Sequence, residues 1–78
     1  MTELSPAATR LLAVLPPNGA VRTIRWLAYH SSQPGHIART AARELLPAGL
    51  VAIAEGGWSE LTTPLRRTPL LLLRRTAP

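Results

Sequence analysis

A chain of 78 residues with nine basic side chains against four acidic ones, formal net charge +5, is small and strongly basic. That length allows one domain; a chain so short buries only about 60 % of its unfolded surface, which excludes a large core and makes self-association an ordinary way to add burial. Cysteine is absent, which excludes a disulfide framework and a thiolate metal site and fits a reducing cytoplasm.

The N-terminus Met1-Thr2-Glu3-Leu4-Ser5 lacks the basic and apolar regions of a signal peptide. The longest apolar run, Leu70-Leu71-Leu72-Leu73, is far too short to cross a bilayer. The expected location is therefore cytoplasmic and, given the charge, nucleoid-associated. All nine basic residues are arginine. The positive sign is a footprint expected of a nucleic-acid partner. The preference for arginine over lysine carries almost no weight, because an Ala-, Leu- and Pro-rich chain of this kind is what a GC-rich genome produces.

In chain order, Ser5-Pro6 reads as a helix start, with Ser as N-cap and Pro at the first helical position. Ala7, Ala8, Leu11, Leu12 and Leu15 follow at helical spacing until Pro16-Pro17 ends the pattern. Asn18-Gly19 makes a turn, and Ala20-Val21-Arg22 has the length of a small strand. Thr23 is the expected N-cap of a second helix whose buried stripe is Ile24, Leu27 and Ala28. Trp26 either closes the core edge or lies on the surface.

Ser31-Ser32-Gln33-Pro34-Gly35 is a turn cluster, with Ser32 as the expected cap of a third helix running to about Leu46. Ile37, Ala38, Ala41, Ala42 and Leu45 fall on one side of that helix; His36, Arg39, Thr40 and Arg43 fall on the other. Pro47-Ala48-Gly49 stops it, Gly49 suiting a left-handed C-terminal position.

Residues 50–55 and 58–63 read as a hairpin closed by Gly56-Gly57, pairing Glu55 with Trp58, Ala52 with Leu61 and Leu50 with Thr63. That register sets Leu50, Ala52 and Leu61 on the core face and Val51, Ile53, Trp58 and Glu60 outside. The apolar outer face calls for a cover, and the Pro-broken segment 64–78 is the expected one, docking in part on the domain and in part on a second chain. The predicted class is mainly α with a small antiparallel hairpin, a winged helix-turn-helix over residues 1–63 plus a basic, leucine-rich tail over 64–78.

Here the residues reach a family. The segment Ile37-Ala-Arg-Thr-Ala-Ala-Arg-Glu-Leu-Leu-Pro-Ala-Gly-Leu-Val51, followed by Gly56-Gly57-Trp58-Ser-Glu-Leu61-Thr62, resembles the winged-helix regulators of bacteria and archaea, MarR-like and ArsR-like proteins being nearest in pattern. The resemblance covers about half of the chain. It implies that residues 33–46 form a recognition helix, that Ser32, Gln33, His36, Arg39, Thr40 and Arg43 contact DNA, and that the wing around Gly56, Gly57 and Trp58 reaches backbone or minor groove. Three features depart from the pattern: Glu55 and Glu60 in the wing, Pro34-Gly35 opening the recognition helix, and a C-terminal segment too short and too Pro-broken to be a long dimerisation helix.

Each residue has a plain reading beside the functional one. Arg39 and Arg43 grip guanine or phosphate, or belong to a solvated helix face. Ser32 and Gln33 contact DNA or cap the helix. Arg22 and Arg25 clamp phosphates at the start of the second helix, or are ordinary surface charge. His36 senses pH, binds metal or touches DNA, or is a plain polar surface residue; with His30 as the second histidine and no acid cluster, a metal site lacks its three or four ligands. No paired carboxylates, triad or phosphate loop supports an enzyme, and no cofactor is implied. The expected function is sequence-specific DNA binding for transcriptional control by a homodimer on double-stranded DNA. The alternatives are a winged-helix protein-interaction module, with Trp58 or the leucine block meeting the partner, and a small phage or plasmid accessory factor resembling an excisionase.

Overall fold

The computed structural model describes residues 4–68, and they form three helices and a three-stranded antiparallel sheet. In chain order these are α1 (Pro6–Val14), β1 (Arg22–Thr23), α2 (Ile24–His30), α3 (Gly35–Leu45), β2 (Val51–Ile53), a single 3₁₀ turn (Glu60–Thr62) and β3 (Pro64–Arg67). Among the described residues no helix is long and apolar enough to cross a membrane.

Two of the three expected N-caps, Ser5 and Thr23, form. The Ser5 hydroxyl accepts the Ala8 N–H at 3.1 Å, and the Thr23 hydroxyl accepts the Trp26 N–H at 3.1 Å. Each satisfies one amide that the first helical turn leaves without a partner. Glu44 of α3 adds a long-range tie: its carboxylate accepts both the backbone N–H and the hydroxyl of Ser5 at 2.8 Å, fastening α3 to the start of α1.

The third helix starts differently from the expectation. It has no side-chain cap; Pro34 occupies that position, and Ser32 belongs to the end of α2. Ser32 sits at φ +56° with its N–H bonded to the Tyr29 carbonyl, and the next N–H, of Gln33, bonds to the Ala28 carbonyl at 3.0 Å. This is the Schellman pattern that closes a helix with a left-handed residue. The end of α3 repeats it with Gly49 at φ +78°, Gly49 N–H to Leu46 O and Leu50 N–H to Leu45 O, as the glycine there predicted. Glycine adopts this conformation freely, whereas serine carries a β-carbon into it. Ser32→Gly is therefore expected to raise stability by about 1 kcal/mol, read as an upward shift of the thermal midpoint by roughly 4–8 °C.

The core is built on the small face of α3. Ala38, Ala41 and Ala42 are essentially inaccessible, and helices α1 and α2 both pack there through Ala8, Leu11, Ile24, Leu27 and Ala28. With no side chain longer than a methyl at those three positions, the helix axes can approach closely. Ile37, expected on this side, is 36 % exposed instead. It stands at the margin of the apolar stripe, where a helix of 3.6 residues per turn rotates it toward solvent.

The hairpin is the main correction. The partner of β2 is not residues 58–63 but Pro64–Arg67, in the register Val51↔Arg67, Ala52↔Arg66, Ile53↔Leu65. β3 also pairs with β1, Arg22↔Leu65 and Thr23↔Pro64, so it is the central strand of the order β1-β3-β2. The Gly56-Gly57 pair lies inside a longer connection over residues 54–63 and does not close a two-residue loop. Pro64 misleads a sequence reading because proline demotes a strand; here it is the first residue of one, where its missing N–H is tolerated while its carbonyl accepts the Ala54 N–H at 2.8 Å. Residues opposite each other share a face, so Val51, Ile53 and Leu65 point to the helices, with Val51 3 % and Leu65 0 % exposed. The expected inside and outside of β2 are thus exchanged, the consequence of a period-two pattern read in the wrong phase.

The small strand expected at residues 20–22 exists, displaced to Arg22–Thr23. Arg67, expected in a tail, lies over the end of α1, where its guanidinium donates to the Leu12 and Leu15 carbonyls at 2.7 and 3.1 Å. The Leu12 carbonyl also takes the Leu15 N–H at 3.3 Å, so Arg67 is a second donor at this helix end, where a cation also suits the helix dipole. The leucine block Leu70-Leu71-Leu72-Leu73, Arg74-Arg75 and the expected docking of the segment on a second chain lie outside the described residues.

Candidate nucleic-acid interface

One side of α3 is buried in alanine; the other carries the residues that chemistry singles out. His36, Thr40 and Arg43 are exposed and Arg39 is half-buried. Between His36 and Arg43 the helix makes two turns, about 10 Å. The acid that α3 itself contributes, Glu44, is turned to Ser5 and away from this face. Thr40 spends its hydroxyl proton on the His36 carbonyl at 3.0 Å, leaving oxygen lone pairs and its methyl outward.

The two arginines are not free rods in solvent. Arg39 Nη1 stands 3.5 Å from Glu60 Oε1, with side chains 41 % and 58 % exposed. The Arg43 guanidinium carbon lies 5.5 Å from the centre of the Trp58 ring. Trp58 in turn donates its indole N–H to Glu60 Oε2 at 2.6 Å. The connection between β2 and β3 therefore leans on the face of α3 through a Trp58–Glu60 pair. Exposed contacts of this kind contribute at most about 1 kcal/mol each, so they orient the arginines without locking them away.

Leu61 explains the glycine that opens α3. A β-carbon at Gly35 would meet Leu61 Cδ1 at 3.1 Å. The 3₁₀ turn thus packs on the first turn of α3, and the absence of a side chain at residue 35 is what lets it come so close. The sequence had marked Pro34-Gly35 only as unusual.

The other expected contact residues are distributed as follows. Arg25 is exposed on α2. Arg22 is half-buried: its Nη1 donates to the Val21 carbonyl at 2.7 Å, and its guanidinium lies 5.0 Å from the centre of the Trp26 ring. Trp26 stacks on His30 at 3.9 Å while its other atoms pack against the core, which joins the two readings of that residue. Gln33 precedes α3 and turns inward; its amide donates to the Ala7 carbonyl at 3.3 Å and to the Ser31 hydroxyl at 3.0 Å, so it ties the α2–α3 turn to α1. Ser32 is exposed at the tip of that turn. His36, Arg39, Thr40 and Arg43 thus share one face, Arg22 and Arg25 lie at the start of α2, and Gln33 stands apart.

Glu60 and Trp58 are the residues whose part in this surface sequence reading missed. In sequence Glu60 stands out only as a departure from the wing pattern, and its 21-residue reach back to Arg39 has no local signature. Among the described residues no group of three or more His, Cys, Asp or Glu side chains is placed to hold a metal ion. Comparison of the chain with protein-family models, with curated proteins and with solved structures finds no match.

Proposed function

We propose that this protein binds double-stranded DNA in a sequence-specific way, as a winged-helix transcriptional regulator whose recognition helix is α3. The observation that carries the reading is the two-sided character of that helix. Its inner side is small, apolar and buried; its outer side presents His36, Arg39, Thr40 and Arg43 over two turns. A major groove about 12 Å wide admits such a helix, and arginine can donate two parallel bonds to guanine O6 and N7. The element order, with a tight turn between α2 and α3 and strands β2 and β3 following, is consistent with a winged helix-turn-helix layout and supports this reading. Arg25 and Arg22 at the start of α2 then hold backbone phosphates and fix register. A homodimer would place two α3 helices on half-sites one DNA turn, about 34 Å, apart.

The test is enrichment of bound duplexes from a random pool, followed by titration of the enriched and random duplexes against salt. With about four to six phosphate contacts per chain, log affinity should fall against log salt with a slope near −4 to −5. Enrichment of no sequence, with a flat salt response, would overturn the proposal.

A second reading has one specific observation behind it. Glu60 and Trp58 already occupy the two arginines of α3, which suits a surface that meets protein. A module of that kind would elute early from immobilised DNA at low salt, whereas a DNA-binding chain would be retained.

A further inference from the structure

Glu60 is held where it is by more than its own preference. Its φ of +56° is a left-handed conformation that disfavours any residue with a β-carbon. Such a conformation persists only where the surroundings over-determine it, and it is often found where a side chain has to be aimed. Here the surroundings are explicit. The fully buried Thr63 accepts the Ser59 N–H on its hydroxyl at 2.7 Å, returns its own N–H to the Glu60 carbonyl at 3.0 Å, and accepts the Ile24 N–H on its carbonyl at 3.1 Å. Thr62 donates its hydroxyl to the Ser59 carbonyl at 2.7 Å. Leu61 sits over Gly35. The turn is therefore fastened to α2 on one side and to the start of α3 on the other.

The carboxylate so aimed divides its two oxygens. Oε2 takes the Trp58 indole N–H at 2.6 Å, and Oε1 faces Arg39 Nη1 at 3.5 Å. An anion fixed on the basic face of α3 stands where a DNA phosphate would otherwise approach.

We propose that Glu60 is a specificity determinant: an internal anion that competes with DNA phosphate for Arg39 and so suppresses binding to duplex of arbitrary sequence. The inference rests on the DNA-binding reading of α3. Its physical basis is that backbone contacts supply nearly all non-specific affinity, so a charge that opposes them lowers that affinity for every sequence alike. In the specific complex Arg39 exchanges Glu60 for a guanine edge, whose two parallel bonds offset the lost ion pair, whereas a lone phosphate contact on random duplex offsets it less. The acidic loop, a misfit in a DNA-binding wing, becomes a means of widening the ratio between specific and random sites.

The experiment compares wild type with Glu60→Gln on random-sequence duplex between about 50 and 200 mM salt. Glutamine keeps the length of the side chain and an oxygen for the Trp58 N–H while removing the charge. Glu60→Gly is the second variant; it removes the charge and is at ease at positive φ, so loss of fold cannot mask the result. Both should bind random duplex roughly two- to fivefold tighter than wild type, with a salt slope steeper by about one. Glu55→Gln, in the same loop and exposed, should gain less. In an Arg39→Ala background the gain from Glu60→Gln should shrink to the Glu55→Gln level, since the two groups interact directly. An unchanged affinity, an equal gain from Glu55→Gln, or a gain that survives Arg39→Ala would overturn the inference while leaving DNA binding intact. Failure of wild type and variants alike to bind any duplex at low salt would instead remove the DNA-binding reading, and this inference with it.

Discussion

Replacing Arg39 and Arg43 together by alanine should lower affinity for an enriched duplex about a hundredfold while leaving the fold in place. A good bidentate contact to guanine contributes about 1–3 kcal/mol, and two at about 1.4 kcal/mol each make that factor. The stability side is small by comparison. Arg39 loses a 3.5 Å contact between exposed groups, and Arg43 loses its position over Trp58. Together these come to about 1 kcal/mol or less. Circular dichroism should therefore show native helix content and a thermal midpoint lowered by a few degrees, while electrophoretic or fluorescence titration shows the loss of binding. The same double variant tested on random duplex should lose less, because only phosphate contacts are removed there. An enriched duplex bound as tightly by the variant as by wild type would show that α3 is not the reading element, whatever else binds DNA.

The second large effect concerns residue 65. Leu65 is completely buried at the middle of the central strand, paired with Arg22 on one side and Ile53 on the other. Leu65→Ala removes three buried carbons from a core with little else to fill the space, which costs about 2–5 kcal/mol. At roughly 0.05–0.15 kcal/mol per residue, a domain of this size has only about 4–12 kcal/mol of stability in total. The variant should thus lose from about a sixth to all of its stability, which raises the fraction unfolded at ambient temperature. Urea titration reads this as a midpoint lowered by about 2 M or more, given a slope near 1 kcal/mol per molar. Arg66→Ala, one residue on and half-buried, is the control and should stay within about 1 kcal/mol of wild type. If Leu65→Ala melted with the wild type, the assignment of Pro64–Arg67 to the centre of the sheet would be wrong, and the reading of that segment as a docking tail would return.

These two expectations differ in how far the sequence alone supports them. The arginine face of α3 was legible because a helix repeats every 3.6 residues, so Arg39 and Arg43 share a side by arithmetic, and the alanines opposite follow from the same rule. The caps at Ser5 and Thr23 and the left-handed Gly49 were legible for a similar reason: each is a local device acting within about five residues of itself. Ser32 was misread because serine serves helix starts and turns equally well, and the choice fell to the end of α2. The inward turn of Gln33 to Ala7 likewise depends on where α1 lies.

By itself, then, the chain determined its three helices, their buried and exposed sides apart from the marginal Ile37, and the basic character of the surface that α3 presents, since all of these follow from interactions between near neighbours along the backbone. Tertiary structure decided the rest: that Pro64–Arg67 runs between β1 and β2, that Val51 faces inward, and that Glu60 and Trp58 stand over Arg39 and Arg43. The physical reason is that strand partners and cross-loop contacts are chosen among distant segments by what they bury together. A proline at the head of a strand or two glycines in a long connection read locally as an end and a tight turn, and only the completed core outweighs those signals.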